Sequence, residues 1–389
     1  MPTIGSIIGM LDRDGALHLD DVGEYGSWPE ADETDSIYPI DFDSLGADAQ
    51  DFSSPNSDFV EQPVGIRVDE QVVEAVLNGP DTLRGRDNAV PPPDVLGWYQ
   101  PIHFFAGNWG IFIRESALVA LARDLAPRFE PFAGRRGTLS HVAVLLRSAF
   151  SYVFLHEQYH HKIESLAIRL HVIERRPVYP PYMRFITTVA GTENDYEEAV
   201  ANADAWLRLD TLPYSNWFAR DERRVIQSWM LDLFENSPPP YKPAVRILTG
   251  PSPRDQFSEA EDRLTARVQE ARLFPTRADP ADFATTTHLT QSLFNIRQSL
   301  WSVVPAGNEP MLPRLPGALP LQSAKLERYI TKNGWEIVRG AGKGSHAKFR
   351  NNRGEMIVLS HNKDVSRQVL DSTARTLGIK PQRLIELAR

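Results

Sequence analysis

The sequence predicts an α+β chain: a large α-rich domain holding a small sheet, then a small C-terminal domain of order α-β-β-β-α. Three observations predict this. Leu139 to Glu174 contains no proline or glycine, and its apolar residues recur at helical spacing. The runs Gly97–Phe105 and Trp109–Ile113 are rich in aromatic and β-branched residues and read as strands. Five prolines at 305, 310, 313, 316 and 320 then mark a stiff spacer, beyond which glycine-rich turns divide short alternating runs.

Residues 1–60 carry fourteen acidic side chains against Arg13 alone, a charge of about −13. They read as an acidic, partly disordered leader, at least from Trp28 to Asp58. The Asp12-x-Asp14-Gly15 triplet lacks the later ligands of a calcium loop. The large domain is expected over 61–304. Within it Ser116–Leu125 reads as a helix joining the strands to the long apolar helix. Further helices fit from Asn194 onward, over Arg220–Glu235 and over Phe257–Leu273. Pro91–Pro93 and Pro238–Pro240 read as loops inside this domain, and no internal repeat is visible.

The long helix contains His156-Glu157-Gln158-Tyr159-His160, the pattern H-E-x-x-H. Histidines four apart lie one above the other on a helix, so one zinc ion can take both imidazoles without bending the backbone. Glu157 is turned about 100° from His156 within the same turn. There it can take a proton from water at the metal, as in a zinc peptidase. Two histidines and a glutamate inside an apolar helix need a reason, because unpaired polar burial is costly. A third ligand is required, and Glu197, Glu198 and Glu164 are the contenders. Glu198 and Asn202 are four apart and share a helical face. Glu164, two turns past His156 on a drifting face, reads as an outer partner of the site or an ion-pair residue. His161, rotated about 100° from His160, reads as a neighbouring polar residue.

With this motif and a later Glu-x-x-x-Asn helix the chain resembles the gluzincin metallopeptidases. The resemblance implies a zincin-like fold over 61–304, with Zn2+ held by His156, His160 and Glu198. Asn202 would hold a ligand histidine from outside, where the family more often has Asp. Glu157 would be the general base, a protein or peptide the substrate, and the edge of the sheet a place where an extended peptide adds as a strand.

From Leu321 a helix fits Ala324–Lys332, ended by Asn333-Gly334. Strands fit Trp335–Arg339, His346–Arg350 and Glu355–Leu359, and a second helix Val365–Thr376. That order, with Asn333-Gly334-Trp335-Glu336, Gly344-Ser345-His346-x-Lys348-Phe349 and Ser360-His361, resembles the HicA family of toxin ribonucleases over 321–389. Ser360 stands where the family often has proline. The resemblance implies a fold like double-stranded-RNA-binding domains, with His346 catalytic, RNA as the target and an antitoxin as partner. The residues fit that chemistry. Histidine is the natural base and acid near neutral pH for activating a 2′-hydroxyl. Lys343 and Lys348 can stabilise extra charge on phosphorus, and Arg339 and Arg350 can hold flanking phosphates. A non-catalytic tether to RNA or to a partner is the other reading of the same residues.

Residues 321–389 carry fourteen basic and six acidic side chains, about +8, within a chain of net −9. A basic end suits a polyanion, and the acidic leader could mask it. With no cysteine, disulfides and thiolate zinc sites are excluded. No basic-then-apolar leader and no long uninterrupted apolar run is present, so neither secretion nor a membrane span is expected and a cytoplasmic location follows.

Overall fold

The apolar stretch around H-E-x-x-H folds as one helix, Thr138–Glu174, and the large unit is built around it. The computed structural model describes residues 29, 31–32, 34–46, 65–80, 82–85, 88–105, 109–175, 177–192, 196–270, 296–315, 323–338, 346–360, 365, 367–379, 384 and 387–388. In chain order the elements are β1 (Ser36–Pro39), α1 (Glu70–Leu77), α2 (Pro93–Leu96), β2 (Gly97–Gln100), α3 (Ile102–Phe105), β3 (Gly110–Arg114), α4 (Glu115–Ala133), α5 (Thr138–Glu174), α6 (Tyr179–Val189), α7 (Tyr196–Arg208), α8 (Tyr214–Trp217), α9 (Arg220–Asn236), α10 (Pro243–Thr249), α11 (Pro253–Glu270) and β4 (Leu300–Val304). The C-terminal elements are α12 (Ser323–Lys332), β5 (Glu336–Ile337), β6 (His346–Arg350), β7 (Met356–Ser360) and α13 (Arg367–Thr376). Two compact units result, one of residues 40–303 with 309–313, the other of 31–39, 304–308 and 314–389. The protein is thus α+β, mostly helical, with small sheets.

Helix α5 is apolar on nearly every side, as a helix surrounded by its own fold must be. Phe150, Phe154, Leu155, Ile163 and Leu166 are wholly buried, and each such side chain contributes about 1.5–3 kcal/mol. The helix ends where Arg175 turns left-handed (φ 53°) and its N–H returns to the His171 carbonyl at 2.7 Å. It is long and apolar enough to cross a membrane, but 83% of its most apolar window lies buried inside the protein.

Strand β3 runs antiparallel to β2, with Tyr99 opposite Ile111, and parallel to β4, with Phe112 opposite Trp301. Gly97 is where β2 meets α5. A Cβ there would stand 2.6 Å from Val153 Cγ1 and 2.9 Å from the Phe112 carbonyl oxygen, so only glycine lets strand and helix approach this closely. Three expectations are corrected. Ile102–Phe105 is a helical turn, because Pro101 ends the strand and its carbonyl accepts from the Phe104 and Phe105 amides. The acidic leader is ordered near its middle. Ile40, Phe42 and Leu45 are core residues, and the Phe42 ring sits 5.0 Å from that of Phe154, an apolar share that the charge count conceals. The proline-rich spacer is not free throughout: Met311 and Leu312 are buried, and their amides donate to the Glu115 carboxylate at 2.6 and 3.0 Å.

The C-terminal unit follows its expected order. Strand β6 lies between β5 and β7, antiparallel to both. Leu326, Ile330, Trp335, Phe349, Ile357, Leu359, Leu370 and Ala374 form its core. Gly334 at φ 85° ends α12, and Gly354 at φ 83° closes the turn between β6 and β7.

Candidate metal centre

His156 and His160 emerge on one face of α5, and α7 crosses it with Glu197, Glu198 and Asn202. The two Nε2 atoms are 3.3 Å apart. Glu198 faces both, with Oε2 3.2 Å from His156 Nε2 and Oε1 3.7 Å from His160 Nε2. The other ring nitrogens are engaged from behind. His156 Nδ1 donates to Asn202 Oδ1 at 2.9 Å, and His160 Nδ1 donates to Glu197 Oε1 at 2.7 Å. With these acceptors a neutral imidazole carries its proton on Nδ1 and turns its Nε2 lone pair toward the point the two rings share. Two such lone pairs at this distance repel unless a proton or a metal cation lies between them. The donor set fits a divalent, nitrogen- and oxygen-liking ion such as zinc.

The structure therefore brings together His156, His160 and Glu198, with Asn202 behind the first histidine. Glu197, the rival ligand, instead stands behind the second, its Oε2 accepting from the Tyr182 hydroxyl. Glu164 is placed elsewhere. It accepts from the Ile102 and His103 amides at 2.9 and 2.8 Å, from His103 Nδ1 at 2.6 Å, and from the Tyr99 hydroxyl. It touches neither ligand imidazole, so its outer-partner reading is corrected and its ion-pair reading stands: paired with His103, it ties α5 to the β2–α3 segment. The two-turn offset from His156 that put it on a drifting face carries it to the sheet side of the helix. His161 lies in the same cluster, its Nδ1 3.0 Å from the Tyr99 hydroxyl.

Glu157 is buried beside the histidines. The Tyr99 backbone N–H holds its carboxylate from β2, while Oε1 has no hydrogen-bond partner among the described residues. Burial pushes its pKa well above the usual carboxylate range, and the Asp94 and Glu197 charges add to that against the pull of His160. This use of the Tyr99 amide also limits the sheet edge: every residue of β2 is buried, so strand addition there is blocked. The histidines shift in opposite directions. Burial and the neighbouring His160 charge hold His156 well below the usual value. Burial opposes a charge on His160 too, but Glu198, Glu197 and Glu157 outweigh it and raise that pKa. The carboxylates thus demand a positive charge at this point, which a divalent ion would answer more fully.

Two residues of the site have no counterpart in the motif. Asp94, on α2, joins His156, His160 and Glu198 in a group whose ligand atoms lie within 4.8 Å of one another. Tyr241 is buried against the same space, its hydroxyl 3.5 Å from Asp94 Oδ2 and its ring 6.1 Å from that of His156. Each directly follows a triple proline, Pro91–Pro93 and Pro238–Pro240. That shared context is the one signal by which sequence could have paired them.

In the C-terminal unit His346 opens β6 opposite Ser360. Positions 346, 348 and 350 share one face by strand period, while Ala347 and Phe349 pack into the core. Lys348 is half-buried and Arg350 exposed. The His346 side chain, Arg339, Lys343 and His361 lie outside the described residues.

Residues 323–379 match the family of the HicA toxin of bacterial toxin-antitoxin. The HicA toxin domain thus covers α12 through α13. No curated protein and no solved structure matches the chain.

Proposed function

We propose that the chain joins a zinc-dependent peptidase to a HicA-type RNA-cleaving toxin unit. The peptidase reading is carried by one observation: two imidazole Nε2 atoms and the Glu198 carboxylate converge while both Nδ1 atoms are held from behind. His156, His160 and Glu198 would hold the ion. Bound there, zinc supplies Lewis acidity toward a scissile carbonyl and makes water acidic enough to attack at neutral pH. Asn202 and Glu197 fix the orientation of the two imidazoles. Glu157 is anchored through one oxygen and offers Oε1 as the base that takes the water proton and returns it to the leaving amine. The Tyr241 hydroxyl is placed to donate to the carbonyl oxygen as charge develops there.

The HicA match supports RNA as the target of the C-terminal unit. His346 is the base or acid for its cleavage. Lys343 and Lys348 stabilise the phosphate, and Arg339 and Arg350 hold the strand to either side. The exposed apolar residues Met356 and Val358, each about 40% accessible, flank Lys348 and Arg350 across the register. They favour protein docking at the same face, either by an antitoxin or as a tether that needs no catalysis.

Wild type, Glu157→Gln, His156→Ala and His346→Ala expressed side by side test both halves. Purified wild type should carry about one zinc per chain, and His156→Ala should lose it. Stoichiometric zinc retained in His156→Ala overturns the ligand set. Loss of RNA cleavage and growth arrest in His346→Ala, with zinc kept, supports the nuclease. Arrest that needs Glu157 but not His346 supports the tether.

A further inference from the structure

A catalytic zinc site leaves one position open beside three protein ligands, whereas four protein ligands make a closed, structural site. The centre has a fourth candidate. Asp94 offers an oxygen within 4.8 Å of the ligand atoms of His156, His160 and Glu198. The carboxylate also accepts from its own backbone N–H and from the Tyr241 hydroxyl at 3.5 Å, a long bond that leaves carboxylate capacity over. Four donors of this kind around one point suit tetrahedral coordination, and the oxygen of Asp94 would then take the place of water. We propose that Asp94 is a displaceable fourth ligand, so that the centre rests closed and opens to water and substrate only when Asp94 withdraws. This rests on the metal-centre reading of the preceding section.

The fold gives Asp94 a way to withdraw. It lies on α2, a single turn capped by Pro92, whose side chain supplies no hydrogen bond. The outer face of that turn is open, with Val95 54% exposed. The inner face is pinned one step later, where Gly97 seats against Val153. Withdrawal starts from that open face: Asp94 turns outward while Pro93 and Leu96, both buried, keep the rest of the turn, β2 and the Tyr99 amide that anchors Glu157 in place. Such a rotation would free the coordination position and the Tyr241 hydroxyl together, which are the two groups a substrate carbonyl needs.

The test uses the full-length protein loaded with Co2+, which reports its ligands through visible absorption. Azide, a small anionic ligand, should leave the wild-type spectrum unchanged and should alter that of Asp94→Ala. Chelator competition should show Co2+ held roughly tenfold or more weakly by Asp94→Ala. Hydrolysis of an unstructured protein substrate should rise in the variant. Asp94→Asn, nearly isosteric, is the second variant should the alanine form not fold, with the same expectations. Azide entering wild type and variant alike, unchanged Co2+ affinity, or turnover that falls while azide enters would each overturn the proposal. A His156→Ala, His160→Ala double variant that still binds Co2+ at the same affinity would instead overturn the metal centre itself.

Discussion

Two polar clusters are buried one turn apart on α5, and they are completed in different ways. Around Glu164 both carboxylate oxygens are occupied by protein donors: two backbone amides, His103 and the Tyr99 hydroxyl. Around His156 and His160 the outer nitrogens are equally well served, but the inner ones point at each other and at Glu198. The Glu164 carboxylate has its hydrogen bonds closed, because an unpaired buried group costs about 1–3 kcal/mol, and the cluster's one unpartnered atom among the described residues is His103 Nε2, on the ring's far side. At the histidines the capacity converges on one point, the arrangement that the proposed metal ion would use. The contrast separates a tie from a site within one helix, where residue type alone does not.

Substitutions in either cluster, and in the C-terminal unit, sharpen or break that contrast. Glu157→Gln should lower peptide hydrolysis by about 10³-fold, the scale of general-base catalysis, with zinc retained and no fall in unfolding free energy. Glu164→Ala should do the reverse. Removing a buried, hydrogen-bonded charge should cost about 3–5 kcal/mol in denaturant unfolding while the remaining folded protein still binds one zinc. If Glu164→Ala loses metal without losing stability, the assignment of that cluster as a tie fails.

The same pair differs in pH response. Burial pushes the Glu164 pKa up, but His103, the Tyr99 hydroxyl and the backbone amides outweigh it and hold the carboxyl below its usual value. A depressed carboxylate contributes stability above its unfolded pKa of about 4.3 and loses it as pH falls through the folded value. Thermal unfolding of wild type should therefore weaken over that acid range, and Glu164→Gln should flatten this part of the profile.

Asn202→Ala should weaken zinc binding by about 10–100-fold, the usual cost of removing an outer partner of a ligand histidine, as read by chelator competition. The smallest effect belongs to the C-terminal unit. Lys348→Ala and Arg350→Ala should each reduce the salt slope of RNA binding by about one, with no change in zinc.

Much of this was legible in the sequence, for reasons that can be named. Helix α5 and its motif are local: the period, the absence of helix breakers and the i, i+4 histidines all lie within one segment. The Glu198 and Asn202 placement came through resemblance, and the geometry sorted Glu198 from Glu197 by putting them on opposite sides of the histidines. The C-terminal order was readable because glycine turns mark each boundary from α12 to β7. Strand β4 was not, since a five-residue apolar run next to prolines carries no sign of its partner and pairs in parallel with residues far upstream. Asp94 and Tyr241 were missed for a related cause. They reach the site from chain positions with no fixed spacing to the motif, on segments whose prolines read only as loop.

Those two triple prolines have a consequence for how the centre keeps its shape. A pyrrolidine ring fixes φ before folding begins, so little backbone freedom remains to be lost when such a segment is ordered. The aspartate and the tyrosine are thus mounted on stiff posts whose direction is written largely into covalent structure. Posts of this kind do not flex along their length, so the side chains they carry would turn between discrete rotamers while the backbone behind them holds still.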